Sequence, residues 1–189
     1  MPLKSGIFII AELQGAVADR VREIQERYDP KLARHAPPHV TIAGSSGTGV
    51  ILADTPVAEL RAALEPIGAS TPPLRLRFGP PVRFMQTDIV SLPLDPHGPL
   101  RTLHERIAAS GLRFQPARFA FTPHCTLNFY RTLTPQAARE LLRVRIPDEV
   151  VIDRIEAYRS VEPQPPRRLV EVALTGVTAD PAGARSRAR

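Results

Sequence analysis

The sequence predicts an α+β protein made of two similar halves, and three observations carry that prediction. A five-residue pattern occurs twice, as Pro38-His39-Val40-Thr41-Ile42 and as Pro123-His124-Cys125-Thr126-Leu127. The same order of elements surrounds each copy: an apolar strand, an amphipathic helix, a long proline-bearing loop, then a strand that opens with Pro-His. The 21 prolines fall between the apolar runs rather than inside them, so they read as loop punctuation between strands and helices.

Taken in order, residues 7–11 (Ile-Phe-Ile-Ile-Ala) form an apolar strand. Val17, Val21, Ile24 and Tyr28 then share one face of a helix. After the first Pro-His strand, residues 57–64 read as a second helix, with Thr55 as its N-cap and Pro56 at its first position. Residues 74–78 and 82–85 are extended. The second half opens with a strand at 89–94 and a helix that presents Leu100, Leu103 and Ile107. Beyond the second Pro-His strand, Thr134-Pro135 opens a helix reaching Arg143, and residues 150–161 and 169–174 are extended. Strands interleaved with helices in two matched halves imply two packed lobes with a cleft between them. Residues 1–178 are expected to form one bilobed domain, with halves of roughly 1–86 and 87–178 and a boundary that allows strands to cross between lobes.

Composition narrows the function classes. Of 189 residues, 43% are hydrophobic and 23% charged, as in ordinary globular proteins. No apolar stretch approaches the length of a membrane span, and the short apolar run near the start is broken by Glu12. One cysteine, Cys125, precludes an internal disulfide and suits a reducing compartment, so the expected location is the cytoplasm. The net charge of +6 is compatible with phosphate-bearing substrates. Arg185, Arg187 and Arg189 carry part of it, in a small, polar segment (179–189) expected to be a disordered basic tail.

Residues two apart in a strand point to one face. His39 therefore projects with Thr41, and His124 with Thr126 and Asn128, while Val40, Ile42, Cys125 and Leu127 point into the lobes. A pseudo-twofold relation between the halves would bring both His/Thr faces to one cleft. Cleavage of a phosphodiester needs such a set: one imidazole to accept a proton from the attacking oxygen, and another to donate one to the leaving oxygen. The threonine hydroxyls can donate to the non-bridging phosphate oxygens. Strand parity makes Cys125 a packing residue rather than a nucleophile. Two histidines could also bind zinc, but neither motif contains a Cys, Asp or Glu to complete a ligand set, so no metal and no cofactor is expected.

Paired His-x-Thr motifs in a chain of this length resemble the 2H phosphoesterase superfamily, in particular its bacterial 2′-5′ RNA ligase-like branch. The resemblance spans roughly residues 6–175. It implies twofold-related lobes, each an antiparallel sheet with helices on its outer face. It also implies metal-independent chemistry at 2′,3′-cyclic phosphate or 2′-5′ phosphodiester linkages of RNA or nucleotides, by a cyclic phosphodiesterase. The catalytic histidines of that family carry over to His39 and His124, and its phosphate-binding threonines to Thr41 and Thr126. Many members have a basic residue soon after the second motif, which makes Arg131 a candidate. Tyr130, Arg83 and Phe84 are further candidates for holding substrate, and Lys4 and Arg118 could meet phosphate. His35 is read as a loop residue near the first motif, and His104 as a surface residue of its helix. Two other readings keep the same cleft: 2′-5′ RNA ligation, and RNA binding without turnover. The partner is an RNA or nucleotide, membrane association is not expected, and the expected state is a monomer.

Overall fold

Strand β1 (Gly6–Glu12) buries Ile7, Ile9, Ile10 and Ala11, as expected of an apolar run at the centre of a sheet. Helix α1 (Gly15–Tyr28) follows, with Val17, Val21 and Ile24 on its buried face. The chain then departs from the expected loop. Asp29 caps a short second helix, α2 (Pro30–His35), which has proline at its first position, so His35 is helical. Strand β2 (His39–Ala43) and helix α3 (Val57–Ala69) complete this stretch. The α3 N-cap is Pro56, and the expected Thr55 cap is not made. The helix packs so closely on a later strand that a Cβ at Gly68 would lie 2.5 Å from the Ala173 carbonyl oxygen.

Strands β3 (Leu74–Leu76), β4 (Val82–Arg83) and β5 (Val90–Pro93) precede helix α4 (Pro99–Ala108). Strand β6 (His124–Asn128) carries the second motif. Helix α5 (Pro135–Leu142) is capped by Thr134, whose hydroxyl accepts from the Ala137 N–H. Strands β7 (Val150–Ile152), β8 (Arg154–Ser160) and β9 (Arg167–Ala173) end the fold. The single extended segment expected at 150–161 is thus two strands that part at Asp153, with different neighbours. This computed structural model describes residues 5–117, 119–161 and 165–177. Lys4, Arg118 and the 179–189 tail lie outside them. None of the described helices is long and apolar enough to cross a membrane.

All named strand pairs are antiparallel, so the fold is α+β with antiparallel sheets. One sheet has the order β2-β1-β8-β9, another β4-β5-β6, and β3 pairs with β7. The last two strands therefore complete the sheet begun by the first two. The two histidine strands have matching surroundings. On β1 and β2, Ile10, Ala11 and Glu12 oppose Thr41, Val40 and His39, with an irregularity just before Ile10. On β5 and β6, Ser91, Leu92 and Pro93 oppose Thr126, Cys125 and His124, with an irregularity just before Ser91. The next backbone bonds also match: Leu13 N–H donates to the Pro38 carbonyl at 2.9 Å, and Leu94 N–H to the Pro123 carbonyl at 3.0 Å.

Helices α1 and α4 brace this arrangement crosswise. The buried Gln25 of α1 donates to the Thr126 carbonyl of β6 at 2.8 Å. His104 of α4 meets the Ile42 carbonyl of β2 at 2.7 Å through Nδ1. His104 is not a surface residue: it is 6% exposed and stacks on Phe121 with ring centres 4.0 Å apart. Its helix lies against β2 rather than facing solvent on that side, and helical periodicity alone cannot show which polar position meets a strand.

Asp29 is a second brace. At 1% exposure, its carboxylate accepts from Leu32 N–H (3.1 Å), Phe129 N–H (2.8 Å) and Tyr130 N–H (2.7 Å). It joins the start of α2 to the turn after β6. Removing it strands three backbone donors with no acceptor, so Asp29→Ala should lower stability by about 2–4 kcal/mol. Urea unfolding measures this directly, and a loss below about 0.5 kcal/mol, the level of an ordinary surface change, would show that the brace is dispensable.

Candidate active site

The burial patterns of the two motif strands are identical. In β2, His39 and Thr41 are half-buried and Val40 and Ile42 are fully buried. In β6, His124 and Thr126 are half-buried and Cys125 and Leu127 are fully buried. This is the alternation expected of strands with one face to a core and one to a cleft. The two strands belong to different sheets yet lie against each other. Cys125 is fully buried and its thiol is pushed up to about 12 by burial, which suits packing and not thiolate chemistry.

Each imidazole is fixed in the same way. His39 Nδ1 lies 2.7 Å from the Pro37 carbonyl, and His124 Nδ1 lies 2.7 Å from the Thr122 carbonyl. A carbonyl can only accept, so Nδ1 carries the proton in both rings. In the neutral ring Nε2 is then an available base, and in the charged ring it is an available acid. The intervening residue is proline in both motifs. Its effect on the residue before it favours extended backbone there, in the residue whose carbonyl holds the ring.

The electrostatics are matched only in part. Burial lowers the proton affinity of His39; the Pro37 carbonyl and the Glu12 carboxylate oppose this, and the charges of His124 and His35 reinforce it. His124 is also lowered by burial, opposed by the Thr122 carbonyl. The contact between β2 and β6 brings the two motifs together, and the charge of His124 acts on His39. Two imidazoles with free Nε2 atoms and two hydroxyls can together accept a proton, donate a proton and bind an anion. Gly44 leaves room here, since a Cβ on it would lie 2.5 Å from Thr41 Cγ2 and 2.9 Å from the Phe8 ring. Among the described residues, no group of three His, Cys, Asp or Glu is placed to hold a metal.

The other sequence-predicted residues divide. Phe84 stands beside the site, edge to face with His124 at 5.2 Å between ring centres. It sits at the tip of the β4–β5 hairpin, where Gln86 takes φ 59°, a left-handed conformation unusual outside glycine. Arg83 turns away into that hairpin, bonding the Thr87 carbonyl at 2.6 Å and Asp88 at 2.5 Å. Tyr130 lies beside α2, with Lys31 Nζ 4.3 Å from its ring centre and the His35 ring 6.0 Å away. Arg131 is exposed in the same turn, and its carbonyl accepts from Asn128. Asn128 does not line the cleft openly as expected; it is fully buried and ties the Asp88 and Arg131 carbonyls together. The sequence reading missed Glu12 and Tyr158, whose phenol donates to Glu12 at 2.5 Å beside His39. Only the β1–β8 pairing brings Tyr158 there, across 146 residues of chain.

Comparisons agree with this architecture. A family model described as the 2′-5′ RNA ligase superfamily matches residues 13–164. The fold resembles the crystal structure of TT0787 of Thermus thermophilus, at 17% identity and TM-score 0.60, covering 90% of this chain and 98% of that one. It also resembles E. coli LigT complexed with 3′-AMP, at 17% identity and TM-score 0.58, covering 92% and 99% of the two chains. The same E. coli protein complexed with phosphate aligns at 16% identity and TM-score 0.57, again covering 92% and 99%. No curated protein sequence matches the chain.

Both imidazoles have proton affinities lowered below the ordinary histidine value, about 6.5. The unfolded chain therefore takes up protons first as pH falls, so these groups withdraw stability as pH drops through that value. Nitrogen-15 NMR should find both rings neutral at pH 7, protonated at Nδ1, and titrating below about 6.5. A neutral ring carrying its proton on Nε2 and none on Nδ1 would contradict the carbonyl lock.

Proposed function

The chain belongs to the 2′-5′ RNA ligase superfamily, and from that membership we propose that it is a metal-independent phosphodiesterase acting on 2′,3′-cyclic phosphate or 2′-5′ linkages of RNA or nucleotides. The observation that carries the reading is the pair of identically held imidazoles on adjacent strands, each followed by an outward threonine. A module that only bound RNA would have no chemical need for two matched proton carriers. E. coli LigT forms crystals as complexes with 3′-AMP, ATP and phosphate, which makes a nucleotide a reasonable ligand to test here.

On a cyclic phosphate, water attacks phosphorus as one Nε2 removes its proton. The bond from phosphorus to one ribose oxygen breaks, and the other imidazole, in its charged form, gives that oxygen its Nε2 proton. Thr41 and Thr126 donate to the non-bridging oxygens, where negative charge grows. The products are an opened phosphomonoester and two histidines with exchanged protonation, which solvent resets. One water is consumed and no redox step is involved. Ligation would use the same transfers with a ribose hydroxyl in place of water. That hydroxyl gives its proton to one Nε2 and bonds to phosphorus, and the ring oxygen that leaves takes a proton from the other imidazole.

On a nucleoside 2′,3′-cyclic phosphate, His39→Ala and His124→Ala should each lower kcat by roughly 10²–10⁴. The double variant should lose far less than the product of the two, because the pair acts as one unit. Thr41→Val or Thr126→Val should cost about tenfold, Cys125→Ala should keep most of the rate, and turnover should survive chelation. Folded single-histidine variants that keep wild-type turnover would refute the mechanism.

A further inference from the structure

The two histidine strands match in register, bulge position, burial and ring lock, and they differ in the residue opposite the histidine. The residue opposite His39 is Glu12, and the residue opposite His124 is Pro93. Directly opposed residues on antiparallel strands have side chains on one face, with Cβ atoms about 4.5–5.5 Å apart. A carboxylate therefore stands beside one imidazole, where the other has a proline ring and the edge-to-face Phe84.

Glu12 is held in place. Tyr158 O–H donates to its Oε1 at 2.5 Å, and its backbone N–H donates to Glu156 Oε2 at 3.3 Å. Glu156 is 1% exposed, and burial raises its carboxyl to about 7, so the group under Glu12 takes up a proton more readily than an ordinary carboxyl. Glu12 and Tyr158 also line a cavity of about 770 Å³ with Arg167 and Arg168. Arg168 is paired with Glu171 at 2.7 Å. The charged or titratable groups acting on His39 are thus Glu12 from β1, His35 from α2 and His124 from β6. Glu12 is the one anion among them.

We propose that Glu12, oriented by Tyr158, is a positioning residue that serves His39 alone and makes two otherwise matched imidazoles unequal. This role rests on the two-histidine chemistry proposed above only for its kinetic consequence. Whichever way the protons run, His39 must carry a positive charge at one stage of turnover. Burial opposes that charge, and Glu12 stabilises it. His124 reaches its charged stage without such help.

The experiment uses the full chain and reads each imidazole separately. Glu12→Gln keeps the side-chain shape and removes the charge, and Glu12→Asp keeps the charge on a shorter arm. Tyr158→Phe keeps the carboxylate and removes its tether. NMR titration of the free protein should show the His39 midpoint falling by about one pH unit in Glu12→Gln, with His124 moving by less than about a third as much. Glu12→Asp should restore part of the shift, and Tyr158→Phe should produce a smaller fall in the same direction. On a nucleoside 2′,3′-cyclic phosphate, Glu12→Gln should lower kcat about tenfold with KM within about twofold, and move one limb of the pH profile to lower pH. A His39 midpoint that does not move, or equal movement of both histidines, overturns the proposal. So does an unchanged kcat. If Glu12→Gln does not fold, Tyr158→Phe decides by the same titration. If the wild-type protein turns over no cyclic phosphate, the proposed function fails, and the titration still decides the role of Glu12.

Discussion

The proposed chemistry depends on one small contact made twice: a histidine Nδ1–H held by the carbonyl two residues earlier. That bond fixes the tautomer and turns Nε2 outward. A neutral imidazole free to rotate could present either nitrogen, and a proton relay built on it would be in the wrong state part of the time. The proline between carbonyl and ring gives the lock its rigidity. Its ring favours extended backbone in the residue before it, and the carbonyl in question belongs to that residue, Pro37 or Thr122.

The lock alone would leave two good bases in separate sheets. The rest of the fold brings them together and keeps them there. Strands β2 and β6 lie side by side, and each is gripped by a buried polar side chain from the helix of the other motif: Gln25 on the Thr126 carbonyl, His104 on the Ile42 carbonyl. Asp29 ties the helix before His39 to the turn after His124. These bonds are buried, where an unpaired partner costs most, so they resist separation of the two strands more than exposed ion pairs would. The exposed pairs Arg20–Glu23 and Arg61–Glu65 are helix-surface contacts of small worth beside them.

Much of this was legible in the residues. Pro-His-x-Thr appears twice, and strand parity alone places His39 with Thr41 and His124 with Thr126, the same pairing that the burial patterns of the two strands display. The apolar faces of α1 and α4 were readable from their period. The parts that were not legible all depend on pairing distant in sequence. His104 looks like a polar position on a helix surface until β2 lies against it. Glu12 looks like a strand-terminating charge until the register sets it opposite His39 and Tyr158 arrives from β8. Arg83 looks like a phosphate ligand, and the hairpin turn that absorbs it depends on the unusual backbone at Gln86. Short-range patterns report faces and caps; partners across sheets are set by topology.

The repeat also explains why the molecule can tolerate its asymmetry. Two nearly equivalent strand pairs supply the geometry, and side chains such as Glu12 and Pro93 can differ without disturbing register, because both sit where the strands end. The most direct test of the central claim is a crystal structure with a nucleoside 3′-monophosphate bound. One phosphate should be held between His39 Nε2 and His124 Nε2, with both threonine hydroxyls on its oxygens. A phosphate bound elsewhere, or one that meets a single histidine, would contradict it.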